Sequence, residues 1–507
     1  MLDVLTAEDV RRQDAASEAR GIAVEALMER AGFGVARAAR AMIGYTYGMR
    51  VVVVCGTGNN AGDGLVAGRW LAQWGAHVTA VMVPGREFRG AAAANRARFP
   101  GRIAGIDQID RELGRADLVI DALLGIGLSR APDPGAARAI AAINACAAPV
   151  VAVDVPSGMD ADTGVAPGAV VRADCIVTLG GLKPGLMFAT DCADWVEVVD
   201  IGVPADIRPG AAVALQAADV AALLPVRAAA GHKRDAGTVL VIAGSRAMPG
   251  AAALTAGAAV HAGSGLTTLA ATERVTAIAL GRVPEMTTIV LPDSPEGSLD
   301  DKGAEAVLER AGEFSAIAIG PGLSRHPATV DAIRRILLST DVPAVVDADA
   351  ISAFAGDAAA LRSRAGFTVV TPHEGEAARL MDVDVATMRA DRLGAARGIA
   401  EATGHAVLLK GPGTVVCAPG GAVFVNTTGN RGLAQGGTGD VLTGVVAALL
   451  AQGGRDASEE RRLALVAAAA WFHGRAADLA AEAIAPHPTN ASLLIETLPA
   501  AIHGVFA

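Results

Sequence analysis

Several short stretches of this sequence combine glycines with polar side chains in patterns suited to phosphate capture and to proton or phosphoryl transfer. The first is GTGNNAGDG, Gly56 to Gly64, directly after the apolar run 50–55. A strand, a glycine-rich turn and a helix start present unpaired backbone N–H groups, which hold an anion without net positive charge. Asn59, Asn60 and Asp63 crowd polar side chains into that turn, at the strand end where ligands of α/β sheets bind. The spacing is not the plain dinucleotide fingerprint, and a structural turn accounts for the glycines taken alone. DALLGIGLSRA from Asp121 and VDVPSGMDADTG from Val153 to Gly164 end two further apolar runs, so three polar loops are expected to meet at one crevice. Asp121 or Asp154 singly could be a helix cap or a turn acid; the joint pattern is harder to explain that way.

In the second half, GLAQGGTGDVLTGVVAALL, Gly432 to Leu450, opens an apolar helix with a glycine-rich turn. Gly436, Gly437, Thr438 and Gly439 would place successive N–H groups around a transferring phosphoryl group. Asp440 would face the acceptor hydroxyl, although an acid in a first turn also simply complements the helix dipole. In VLLKGPGTVV, Lys410 to Thr414 form a turn between strands, an ordinary hairpin by itself but suited to passing under a nucleotide.

The elements that must position these loops alternate in type. Residues 7–39 read as helical, with Ile22, Val24, Leu27 and Met28 at helical spacing. Continuous apolar runs predict strands at 50–55, 77–83, 117–124, 149–155, 174–179 and 195–201, separated mostly by Ala-rich helical stretches. A Pro-, Gly- and Ala-rich stretch follows Ile201, and a new series begins at 238–243, 266–270, 288–291, 316–319, 344–347, 368–371, 406–410 and 414–417. Such alternation implies parallel sheets covered on both faces. The predicted architecture is α/β, two three-layer α/β/α domains at 1–215 and 216–507.

Composition agrees. The chain has 507 residues, 52% hydrophobic and 19% charged, which supplies more than one core and excludes global disorder. A net charge of −10 argues against general nucleic-acid binding, so anions must be captured locally. Cys55, Cys146, Cys175, Cys192 and Cys417 form no close pair, which fits neither a disulfide framework nor a zinc site. The apolar runs from Val441 to Ala451 and from Leu463 to Phe472 are too short or too interrupted to span a bilayer, and no membrane passage is expected. The opening MLDVLTAEDVRRQD lacks a secretory pattern, and a cytoplasmic location is expected.

The set GTGNNAGDG, DALLGIGLSR and VDVPSGMDADTG resembles the NAD(P)H-hydrate epimerase family, and LMERAG, Leu27 to Gly32, resembles its N-terminal helix. The resemblance implies a Rossmann-like epimerase domain. By position, Asn59, Asn60, Ala61, Gly62 and Asp63 would contact the substrate phosphates together with Gly125, Ile126, Gly127, Leu128, Ser129, Arg130 and Ala131. Asp154 would contact the reacting ring as its acid–base group. Asn60, Asp121 and Ser157 would ligate K+, a hard cation served by oxygen donors. Where the family commonly has Gly, this chain has Ala61.

HKRDAGTVLVIAGS (His232 to Ser245), GAAALTAGAAVHAGSGLTTLA (Gly250 to Ala270), IGPGL (Ile319 to Leu323), VVDADA (Val345 to Ala350) and TPHEGEAARL (Thr371 to Leu380) resemble, in order, the NAD(P)H-hydrate dehydratase branch of the ribokinase-like superfamily. Arg234 stands where many relatives have Gly. The likeness implies that Lys410, Gly411, Pro412, Gly413, Thr414 and Gly439 bind ADP, while Ala251, Gly322, His373 and Asp440 contact the hydrate. Asp440 would be catalytic, and Glu376 sits where relatives position Mg2+.

The implied activity is twofold: epimerisation of the R and S forms of the NADH and NADPH hydrates, and dehydration of the S epimer at the expense of ADP, giving AMP and phosphate. Hydroxide leaves carbon poorly, so phosphorylating the 6-hydroxyl lets the ring nitrogen's lone pair expel phosphate instead, with Asp440 accepting the hydroxyl proton. A homo-oligomer acting on small molecules, with no nucleic-acid or membrane partner, is expected. The alternatives are a ribokinase-type small-molecule kinase fused to a nucleotide-binding module, marked by a stable phosphorylated product, and a non-catalytic sensor, disfavoured by Asp154 and Asp440.

Overall fold

Strands buried on both faces need apolar residues at every position, and the runs of both halves form such strands. The computed structural model describes residues 1–507 apart from 129, 190–192, 194, 208–209, 226–231, 296, 485–488 and 507. The chain divides into two units, Leu2–Val213 and Ala214–Ala507 with Met1, beside the boundary expected between 215 and 216.

The first unit is built on a 7-stranded sheet in the order Arg102–Gly105, His77–Met82, Arg50–Cys55, Leu118–Ala122, Val150–Val153, Cys175–Leu179, Trp195–Val199. Every pairing in it is parallel. Arg50–Cys55, the first of these strands in the chain, has later strands on both sides, which is the doubly-wound Rossmann order with its switch point beside that strand. The crevice at such a point lies at the strands' carboxyl ends, where Gly56 and Leu123 follow. The region expected to be one helical stretch is two helices, Ala7–Ala19 and Val24–Ile43, because the chain turns at Gly21 with φ +79°. The strand Arg102–Gly105 was not expected: four residues at the sheet edge, starting on an exposed Arg, carry no apolar run.

From Thr238 onward the second unit's sheet runs Val423–Val425, Val415–Cys417, Ala406–Leu409, Thr368–Val370, Ala344–Val346, Ala316–Ile319, Thr238–Ile242, Leu266–Thr272, Thr287–Leu291. Pairings are parallel up to Ala406–Leu409, and the next two are antiparallel. Thr238–Ile242 again has later strands on both sides. The helix Thr438–Gln452 is buried from Val441 to Ala451, each Val or Leu contributing roughly 1.5–3 kcal/mol. Gly444 lets it lie against the helix Pro249–His261, since a Cβ there would stand 2.2 Å from Thr255 O. That contact fixes where the helix N-terminus, and Asp440 with it, must sit.

Candidate functional site

The helix Asn59–Gln73 starts at Gly58 with no side-chain cap and no acid in its first turn. Gly62 N closes the first helical bond to Gly58 O (3.3 Å), so the N–H groups of Asn59, Asn60 and Ala61 precede the helical ladder and suit an anion. They border an open cleft of about 1140 Å³ lined by Asn59, Asn60, Gly125, Ile126, Gly127, Leu128, Arg130 and Ala131. Ser129 lies outside the described residues. Ala61, Gly62 and Asp63 are buried, and the Ala61 methyl belongs to the core between helix and sheet. Arg86 and Arg89, which follow the strand His77–Met82, also line the cleft and add the cations its glycines lack.

Asn60, Asp121 and Ser157 meet at the backbone of Leu124. Ser157 Oγ donates to Asp121 Oδ1 (2.6 Å) and accepts from Leu124 N (2.8 Å), Ser157 N donates to Asp121 Oδ2 (2.8 Å), and Asn60 Nδ2 donates to Leu124 O (2.9 Å). Burial pushes the Asp121 carboxyl up to about 6 against the pull of the Ser157 hydrogen bonds. No Lys or Arg pairs with it among the described residues.

Asp154 follows the strand Val150–Val153 in the left-handed region, φ +67°, a conformation costly for a residue with a Cβ and common at functional sites. Its Oδ1 accepts from Lys183 Nζ (2.5 Å), Leu179 N (3.0 Å) and Thr178 Oγ1 (3.3 Å). Oδ2 accepts no hydrogen bond from a described residue. One carboxylate oxygen is therefore anchored while the other remains for chemistry. Lys183 is fully buried, and its ammonium also donates to Leu179 O (2.7 Å) and Gly181 O (3.2 Å). Asp63 and Asp14 feel the field of this pair. No hydrogen bond links Asp154 to Asn60 or Asp121, so the first unit holds two adjoining centres, one at Leu124 and one at Lys183.

In the second unit, Gly437 takes φ +91° and delivers the chain into the helix Thr438–Gln452. Thr438 Oγ1 donates to Leu433 O and Gln435 O (both 2.9 Å), which ties the glycine turn to its helix. His473 Nε2 lies 2.9 Å from Thr438 O; burial lowers the imidazole to about 4, so the ring is neutral and carries its proton on Nε2. Asp440 is pushed up to about 7, first by burial, then by Asp347, with Lys410 opposing. Lys410 Nζ is 2.8 Å from Asp347 Oδ1 and 3.6 Å from Glu376 Oε2, and a Cβ on Gly439 would stand 3.5 Å from it. Burial disfavours that ammonium, but Asp347 and Glu376 more than restore it and raise its pKa. Asp347 is held further by Thr371 Oγ1 (2.8 Å) and Thr443 Oγ1 (2.7 Å).

His373 caps the helix Glu374–Met381: its Nδ1 accepts from Gly375 N (3.0 Å), while Glu376 Oε2 accepts from His373 N (2.9 Å). The His373 side chain is 55% exposed, so the ring itself remains reachable. Gly322, at φ +65°, abuts Ala251, whose Cβ would be 2.9 Å from one added there. In the hairpin, Thr414 Oγ1 donates to Gly411 O (3.0 Å), and Pro412 and Gly413 complete the turn while the Lys410 side chain leaves it for Asp347. Lys410, Gly439 and Asp440 thus form one group with Glu376 and His373 beside it, and Ala251 with Gly322 forms another, on helix starts and turns of the second unit.

Comparison with known proteins resolves what these sites belong to. Residues 239–500 match the NAD(P)H-hydrate dehydratase family model, and residues 24–185 match that of the YjeF-related protein N-terminus. The bifunctional NAD(P)H-hydrate repair enzyme of Moorella thermoacetica is 39% identical over 496 residues, 93% of this chain and 91% of that one. The chain belongs to the bifunctional NAD(P)H-hydrate repair enzymes. The Mycobacterium leprae member is 39% identical over 483 residues, 94% of each chain. A ribokinase-like superfamily protein from Enterococcus faecalis shares the second unit's fold, with TM-score 0.50 and 23% identity over 58% of this chain and 96% of that one.

Two ions that the resemblance implies can be tested against the donors. A buried carboxylate without a basic partner, beside an amide and a hydroxyl, is a donor set that a monovalent cation would complete, so Asp121, Asn60 and Ser157 fit K+. In the second unit no group of three His, Cys, Asp or Glu among the described residues could cage a metal. Glu376 beside Asp440 and Asp347 fits Mg2+ only as it is usually held, by one or two carboxylates plus substrate phosphates. Lys183 and Asp347 are the functional residues the sequence reading missed. Their signals were a Lys in GGLKPG after a strand and the first acid of VVDADA.

Proposed function

We propose that this chain epimerises C6 of NADH and NADPH hydrates in its first unit and dehydrates the S epimer in its second, consuming ADP and releasing AMP and phosphate. The observation that carries this reading is that both family models match one chain, each over a unit with its own aspartate at a strand or helix end.

In the first unit the N-terminus of Asn59–Gln73 with Arg86, Arg89 and Arg130 would hold the substrate phosphates, and Asp154 Oδ2 would move the proton at the 6-hydroxyl. Asn60, Asp121 and Ser157 would hold K+, which would supply a positive charge to the site. In the second unit Asp440 would take the hydroxyl proton while the N–H groups from Gly436 to Gly439 meet the transferring phosphoryl group. Bound Mg2+ would supply charge neutralisation at the nucleotide phosphates, and Glu376 would help to hold it. Ala251, Gly322 and His373 would border the hydrate, and the hairpin Lys410 to Thr414 the nucleotide. A cytoplasmic homo-oligomer fits this role; among the described residues no helix is long and apolar enough to cross a membrane.

The test is to supply the full chain with a mixture of R and S hydrates plus ADP or ATP. Complete return of reduced-nicotinamide absorbance with stoichiometric phosphate is expected. A stable phosphorylated product, or recovery that stops when the S epimer is exhausted, would contradict the reading.

A further inference from the structure

The second unit buries a histidine that the proposed roles leave unused. In the helix Glu459–Ile484 the residues from Ala467 to Phe472 are apolar and buried, and His473 follows them, 8% exposed. A leucine would pack there without the cost of burying ring nitrogens. The hydrogen bond that His473 makes among the described residues goes to Thr438 O, at 2.9 Å. Its helix is pinned just before and just after the ring. Asn426 Nδ2 donates to Ala470 O (3.3 Å), Thr428 Oγ1 donates to Trp471 O (2.8 Å), and a Cβ on Gly474 would stand 2.3 Å from Thr428 Oγ1.

Thr438 O belongs to the same peptide group as the N–H of Gly439, and in a planar trans peptide the two point in opposite directions. The first helical hydrogen bond of Thr438–Gln452 runs from Val441 N to Gly437 O (3.1 Å), so Gly439 N and Asp440 N stand ahead of the ladder and donate to no described residue. A donor held on the carbonyl acts on that N–H twice: it fixes the plane of the peptide, and by drawing charge onto the oxygen it makes the N–H a stronger donor. A carbonyl oxygen accepts two hydrogen bonds, so the ring need not displace the helix's own. Burial lowers the imidazole to about 4, which leaves the neutral ring a single N–H, and that N–H meets Thr438 O.

Building on the dehydratase reading above, we propose that His473 is a positioning residue for phosphoryl transfer: through the Thr438–Gly439 peptide it aims and strengthens the Gly439 N–H that meets the phosphoryl group passing from ADP to the 6-hydroxyl. Negative charge gathers on the phosphoryl oxygens in the transition state, where a donor aimed in advance acts most. The effect of the ring therefore falls on kcat and leaves the binding of ADP and hydrate almost untouched. Without it the turn keeps the two bonds from Thr438 Oγ1 to Leu433 O and Gln435 O (both 2.9 Å), which tie the side chain and not the carbonyl.

Full-length His473→Leu and His473→Gln chains test this with ADP and the S hydrate, since Gln can set a side-chain N–H where the ring has Nε2. Expected in the Leu variant is a fall of about 10- to 100-fold in dehydration kcat, with KM for ADP and for the hydrate within about twofold of wild type and epimerisation unchanged. The Gln variant should recover kcat to within about threefold of wild type. Wild-type kcat in the Leu variant, a Gln variant as slow as Leu, or a loss carried by KM as much as by kcat would overturn the proposal, whereas absence of ADP-dependent dehydration in the wild-type chain would overturn the underlying reading instead. Should the Leu variant fail to fold, His473→Asn takes its place, polar but with its N–H one carbon short of the Gln position: a kcat well below that of the Gln variant supports the proposal and an equal kcat overturns it.

Discussion

Both units place a lysine, fully buried in the first and partly exposed in the second, on an aspartate at the carboxyl end of a parallel strand, but they choose opposite partners. In the first, Lys183 clamps Asp154 itself, the aspartate aimed at the substrate, and immobilises one of its oxygens. In the second, Lys410 clamps Asp347, and burial first, then the repulsion of that carboxylate, push Asp440 up to about 7 against the weaker pull of Lys410. The difference follows the chemistry. Epimerisation needs a proton carrier held in a fixed orientation, whereas phosphoryl transfer needs a base whose affinity for protons is matched to a hydroxyl losing one.

The comparison breaks most easily at Lys183. Replacing it by Met leaves Asp154 without its buried partner, and the first unit should lose about 3–5 kcal/mol, read as a lowered first transition in thermal unfolding. Lys410→Met should cost less, because Thr371 and Thr443 still hold Asp347, and should displace the pH dependence of dehydration upward as an opposing cation leaves Asp440. A larger loss at Lys410 than at Lys183 would reverse the contrast drawn between the two pairs.

The pH dependence sharpens the comparison. A base raised to about 7 is protonated below that pH, so dehydration kcat/KM should climb about tenfold per pH unit up to about 7 and then level. The same shift has a stability sign. The folded-state pKa of Asp440 lies above its unfolded value of about 4, so its contribution to stability is lost as pH rises from about 4 to about 7. Asp440→Asn should accordingly raise the second unit's Tm by a few degrees at pH 8 and leave it unchanged at pH 4. The smallest effect is expected at Ala348, held at φ +50° beside Asp347. Ala348→Gly should relieve strain and stabilise the second unit by about 1 kcal/mol, measured by denaturant unfolding.

The strands were legible because continuous apolar runs such as RVVVVC and AIAI have few other uses, and their order placed the polar loops at two switch points. Asn60, Asp121 and Ser157 were grouped through the family resemblance; the residues alone showed only that their three loops end or follow strands. Short edge elements were not: Arg102–Gly105 and Val423–Val425 are too brief to show a period. Lys183 was missed because its burial depends on four partners spread over Asp154, Thr178, Leu179 and Gly181, which no local spacing records. Asp63 shares its turn with Asn59 and Asn60, which line the cleft, but is itself buried, a difference of burial that no local spacing records. The choice of Asp347 over Asp440 by Lys410 is likewise a tertiary decision, made by Thr371 and Thr443 from separate elements.

The central claim is that two independent sites, each with its own aspartate, act on the same carbon. The most direct measurement gives full-length Asp154→Asn and Asp440→Asn chains the racemic hydrate with ADP and follows both epimers. The account predicts that Asp154→Asn dehydrates the S form and leaves the R form standing, while Asp440→Asn interconverts the epimers and dehydrates neither. Loss of both reactions in either variant, or of neither, would contradict it.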